Sequence, residues 1–130
     1  GSKGSIVVYS HFENTTLTNT EKWFPDLKDD IECVKNRLVD MEKLISKFVY
    51  HPKFNGRTSI KVVLPVLVPE MDYSELEISN GDDALAMFYR IIMGQLHPDS
   101  VESTKVALME YCKLDTLAMV RIHDVLTELA

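Results

Sequence analysis

Tyr111 and Asp115 are four residues apart in a stretch, 106–129, whose apolar spacing predicts a helix. Four apart on a helix means one face, one turn from each other. A carboxylate there can hold a divalent metal, and a phenol one turn back can orient a water for attack on a phosphodiester. The pattern Y-x-x-x-D is common by chance, so its surroundings matter. Near the start, Ile6-Val7-Val8-Tyr9 reads as a buried strand, and Ser10-His11-Phe12-Glu13 follows at its C-terminal end. Open parallel sheets place their functional side chains at that end.

Each candidate also has a plainer reading. Asp115 competes with an ordinary surface aspartate, although aspartate is unfavourable inside a helix and this one is flanked by Leu114 and Leu117. Tyr111 equally suits a core ring with a wet tip. Glu13, at a helix start, can simply complement the helix dipole. His11 could reach a metal or a phosphate, but a lone histidine more often serves structure or solvent. His51, His97 and His123 show no ligand spacing, and Asp82-Asp83 reads as a helix N-terminus. There is no glycine-rich phosphate loop and no Ser-His-Asp arrangement.

The elements that must hold these residues follow from the pattern. Residues 5–9 form a short, continuous apolar strand. A helix is expected from about His11 to Lys22, with Pro25 as punctuation and a possible helix start. Ile31, Val34, Leu38, Met41, Ile45 and Phe48 recur at helical spacing. Periodicity alone makes them one helix to about Lys47; the family resemblance described below calls instead for a short strand at 37–40. The segment 50–56 is a loop with an Asn-Gly turn signal. Thr58 or Ser59 can cap a short helix to about Val66, limited by Pro65 and Pro69. Residues 69–80 are irregular. A helix opens after Asn80 and is expected to end at His97-Pro98. A last one runs from Asp99 or Ser100 to about Leu129. The sum is an α/β chain, mostly helical, with one clear strand and about five helices.

Composition narrows the class. At 130 residues and 45% hydrophobic, the chain is one domain or a piece of one, with an ordinary core. No apolar run approaches the roughly 20 residues of a membrane helix. The net charge of −6 and the lack of a basic stripe count against a free-standing nucleic-acid-binding module, since phosphate contacts need Lys or Arg. Lys53, Arg57 and Lys61 form one loose cluster. The charge counts less against a nuclease, whose bound metal offsets its carboxylates. Cys33 and Cys112 form no C-x-x-C and read as reduced core thiols, in keeping with a cytoplasmic protein.

Tyr111 and Asp115, with Phe12-Glu13, resemble the third and second motifs of the DEDD-type exonucleases, the DnaQ-like branch of the ribonuclease-H-like fold. The stretches IVVYSHFENTTL, YHPKFNGRTSIKVVLPVLVP, LEISNGDDALAMFY and YCKLDTLAMV also resemble a bacterial family of uncharacterised proteins with a C-terminal domain of this type. Glu13 stands where the second motif usually has aspartate, and Ser10-His11 departs from the usual asparagine-led approach. The first motif, D-x-E on an early strand, should precede the 5–9 strand, yet only Gly1-Ser2-Lys3-Gly4 does so. Gly1-Ser2 has the look of a cloning scar, leaving residues 5–130 as the C-terminal part of a ribonuclease-H-like domain.

The resemblance implies a truncated 3′–5′ exonuclease acting on a DNA or RNA 3′ end. In an intact domain Glu13 and Asp115 would bind Mg²⁺ or Mn²⁺ with the D-x-E carboxylates, and Tyr111 would orient the water. The fragment alone should bind metal poorly or not at all and be inactive. The alternative is a non-catalytic interaction module that keeps the fold without the chemistry. If early strands are missing, the strand 5–9 should pair with another copy, giving a homodimer, or be covered by a rearranged helix.

Overall fold

The apolar run after Lys3 forms β1 (Ile6–Val8), and the chain then turns at Ser10 into α1 (Phe12–Trp23). The computed structural model describes residues 3–129; the Gly1-Ser2 pair read as a cloning scar lies outside the described residues. Those residues gather into two compact units, one up to Val66 and one from Leu67.

In the first unit, Pro25 starts a short 3-10 turn (Pro25–Leu27) that leads into α2 (Lys28–Lys35). Proline suits that position, because a first-turn N–H has no helical partner anyway. The periodic stretch is not one helix. It breaks at Asn36 and Arg37 into β2 (Leu38–Asp40), then resumes as α3 (Met41–Phe48). β2 lies parallel to β1 in the register Ile6 to Leu38, Val7 to Val39 and Val8 to Asp40. The Ile6 N–H also donates to the Arg37 carbonyl at 2.8 Å. This is a strand–helix–helix–strand crossover, the connection that parallel strands require. Val8, Ile31, Met41, Ile45 and Phe54 are buried in this unit. A second 3-10 turn (Pro52–Phe54) ends at Asn55, whose φ of 48° lies in the left-handed region that asparagine tolerates. α4 (Ile60–Leu67) then carries the chain onward, with Val63 and Leu64 fully buried.

The second unit holds the irregular segment 69–80, α5 (Gly81–Ile92) and α6 (Pro98–Leu129). Asn80 caps α5, its Oδ1 accepting from the Asp83 N–H at 2.8 Å. The helix stops five residues short of His97. Gly94, with φ 63°, takes the left-handed turn; its N–H donates to the Ile91 carbonyl and the Gln95 N–H to that of Arg90. That pair of bonds is a Schellman ending, which glycine favours over a later proline stop. α6 is 32 residues long, about 48 Å at 1.5 Å per residue. Val68, Tyr73, Ile78, Ala118 and Ile122 are its unit's buried residues.

The architecture is α/β and mostly helical, with six α-helices and a two-stranded parallel sheet among the described residues. Among the described residues no helix is long and apolar enough to cross a membrane. Cys33 and Cys112 are free, but both are exposed, which corrects the core-thiol expectation. Each sits on the outer side of its helix, and thiol hydrophobicity alone does not decide which face is buried.

Candidate functional site

Glu13 owes its position to Asp40. Ser10 has a φ of 71°, unusual for a residue with a side chain. Its N–H donates to the Asp40 carboxylate at 3.1 Å, and the same oxygen accepts from the Lys43 N–H at 3.3 Å. One aspartate at the end of β2 thus caps α3 and fixes the tight turn that ends β1. The chain leaves that turn as α1, with Glu13 in its first turn at the C-terminal end of β1. Nearby, the Tyr9 hydroxyl donates to the Thr58 carbonyl at 2.5 Å, and Thr58 Oγ1 donates to Glu42 at 3.1 Å. Burial, then the charges of Glu42 and Asp40, push the Tyr9 phenol well above its ordinary range.

Glu13 itself is partly buried, and its Oε2 is enclosed without any hydrogen bond. It borders a groove of about 300 Å³ whose other walls include Ile6, Val8, Phe12, Leu17 and Leu38. A buried carboxylate oxygen left unpaired costs on the order of 1–3 kcal/mol or more. His11 precedes Glu13 as the N-cap of α1, but its side chain makes no capping bond and it is exposed.

In the second unit, the structure brings Tyr111 and Asp115 together on one face of α6. It adds a residue that periodicity could not show. The Tyr73 hydroxyl donates to Asp115 Oδ1 at 2.6 Å, from a ring that is 6% exposed. The Tyr73 and Tyr111 rings lie 6.2 Å apart, tilted by 49°. Partial burial, then the charge of Asp115 and a hydrogen bond to it, push Tyr111 up to about 12, with Cys112 and Asp82 adding to the same trend. Tyr111 therefore stays a neutral phenol, able to donate, throughout the physiological range. Its hydroxyl lies close to Gly81 at the start of α5, where an added Cβ would be 3.6 Å away, an ordinary contact.

Tyr73 is placed by the segment 69–80. The Met71 N–H donates to the Val68 carbonyl at 2.9 Å, and Asp72 accepts from both the N–H and the hydroxyl of Ser74. These bonds hold Asp72 below its usual carboxylate range. Glu70 pairs with Arg121 of α6 at 3.1 Å, tying the same segment to the same helix. Asp40 and Tyr73 are the two residues that sequence reasoning missed. Asp40 carried a faint signal, an aspartate just before an apolar periodic run, which is an N-cap pattern.

The residues fit a divalent cation in part. Glu13 offers an oxygen that nothing else uses. Asp115 has given one oxygen to Tyr73, yet a carboxylate has about four lone-pair positions and keeps capacity. Among the described residues, no three His, Cys, Asp or Glu side chains are grouped to hold a metal ion. Glu13 belongs to the first unit, and Tyr111 and Asp115 to the second.

No curated protein and no solved structure matches the chain. Residues 1–59, the part that carries β1, Glu13, Asp40 and α3, match the family model DUF2779, a domain of unknown function.

Proposed function

We propose that these residues belong to a metal-dependent 3′–5′ exonuclease domain of the DEDD type, whose activity requires a D-x-E strand beside them. The observation that carries this reading is the partnerless Oε2 of Glu13 at the C-terminal end of β1. A fold that only needed a dipole complement would leave that carboxylate in water. The parallel β1–β2 pair with its helical crossover and the one-face placement of Tyr111 and Asp115 add support.

In the intact domain Glu13 and Asp115 would hold Mg²⁺ or Mn²⁺ together with the upstream carboxylates. The bound ions would supply Lewis acidity for the scissile phosphate. Tyr111, kept neutral, would hold the attacking water by its hydroxyl. A DNA or RNA 3′ end is the substrate class, and the cytoplasm the expected place of action.

A chain extended upstream through a D-x-E strand, given Mn²⁺ and a 5′-labelled single strand, should shorten it from the 3′ end. The present chain should leave the strand intact. Shortening by the present chain, lost in Asp115→Ala, would mean a complete site within these residues. An inert extended chain would overturn the enzyme reading. One observation favours a second reading, a non-catalytic module: Asp115 is already satisfied by a phenol, as a structural carboxylate would be. Mn²⁺ binding separates the two, since the module has no use for it.

A further inference from the structure

We propose that Tyr73 is a positioning residue for Asp115: its hydroxyl fixes the carboxylate beside the Tyr111 phenol. The inference rests on the reading of Asp115 as a metal ligand in the intact domain and adds the group that aims it. The bond is 2.6 Å and joins residues 42 positions apart. A phenol donating to a carboxylate is a charge-assisted bond, shorter and stronger than a neutral one.

The donor is rigid. Its ring is almost fully buried, flanked in sequence by the Asp72–Ser74 turn and anchored between the buried Val68 and Ile78. The acceptor is not rigid by itself. An aspartate on a helix chooses among rotamers, and Asp115 is only partly buried. Tyr73 removes that choice. It takes Oδ1, holds the carboxylate on the side of α6 that Tyr111 occupies, and packs its ring against Tyr111. Ligating carboxylates are commonly oriented by such a hydrogen bond, and losing the partner typically costs about 10–100-fold in metal affinity or activity. The geometry thus makes a three-residue unit in which Tyr73 sets Asp115, and Asp115 sets the Tyr111 hydroxyl.

Tyr73→Phe keeps the ring and removes only the hydroxyl. The Hα–Hβ couplings of Asp115 report its side-chain rotamer without metal or nucleic acid. In the unsubstituted chain they should show a single rotamer, and in Tyr73→Phe they should average over at least two. A single, unchanged rotamer in Tyr73→Phe overturns the proposal. So does averaging already present in the unsubstituted chain, which would mean that the Tyr73 hydroxyl does not hold the carboxylate. Because this readout uses no metal and no substrate, it can fail while the extended chain still degrades its strand, and the reverse also holds.

Discussion

In the unit up to Val66, Glu13 keeps an enclosed oxygen with no hydrogen bond, whereas in the unit from Leu67 the Asp115 carboxylate accepts from Tyr73 at 2.6 Å and lies beside Tyr111. The supporting residues differ in the same way. Asp40 fixes the backbone that carries Glu13 and leaves the side chain alone. Tyr73 fixes the side chain of Asp115 directly. One carboxylate is placed by its turn and the other by its own bond. An unpaired carboxylate is a cost to folding, and a doubly flanked one is a gain, so the two should answer substitution with opposite signs.

The largest effect is expected on chemistry. In an upstream-extended chain, Asp115→Ala should lower metal-dependent strand shortening by more than the roughly 100-fold that loss of a mere orienting partner can cost. Glu13→Gln should lower it comparably, as the metal-ligand role proposed for each carboxylate requires. A loss confined to one of the two would remove the other from that role.

Stability comes next, with the signs separated. Tyr73→Phe should destabilise the second unit by about 1.5–3 kcal/mol, the range for hydrogen bonds to charged groups. Asp40→Ala should cost the first unit about 2 kcal/mol, because it removes a helix cap and strands the Ser10 N–H. Glu13→Leu, by contrast, should stabilise the first unit by up to about 1 kcal/mol, part of the gain being offset by the lost dipole contact. Hydrogen exchange reads each unit separately. A destabilising Glu13→Leu would show that its carboxylate has a partner in solution.

Alkaline pH should weaken both units. The Tyr9 and Tyr111 phenols are raised in the fold above the ordinary 10.0. The folded chain then holds protons that the unfolded chain releases, so this stability is full below pH 10 and is lost as pH rises through about 12 for Tyr111. Melting temperature should fall across that window, and the fall should shrink in Tyr111→Phe. A stability flat through pH 10–12 would remove the buried-phenol account.

The smallest effect concerns assembly. Among the described residues β1 pairs with β2 alone, and Val7 is 38% exposed. An unpaired strand edge is a template for another strand. Light scattering should therefore find weak, concentration-dependent homodimers, reduced by Val7→Lys. A chain that stays monomeric at every concentration would mean that this edge is not used.

Legibility in the sequence followed the range of the forces involved. The helix after β1, the helix start after Asn80 and the Tyr111–Asp115 face are local patterns, readable from the sequence. The strand at Leu38–Asp40 could not be read from spacing, because its residues continue the helical period of Ile31 and Ile45; only the family resemblance called for it, at 37–40. Its parallel partner, Ile6–Val8, settles its state, and periodicity cannot see a partner 32 positions away. The end of α5 was placed too late because Pro98 is a louder signal than Gly94. Tyr73 was invisible for the strongest reason. It sits in an irregular stretch, and what makes it matter is a hydroxyl aimed at a residue 42 positions on.

The most direct test of the proposed nuclease reading is metal binding at its two candidate ligands. Mn²⁺ titrated into the ¹⁵N-labelled, upstream-extended chain broadens the amide signals near wherever it binds. The account predicts broadening around Glu13 and around Asp115, removed in Glu13→Gln and Asp115→Asn respectively. Signals that stay sharp at either carboxylate, or broadening that its own substitution leaves unchanged, would contradict it.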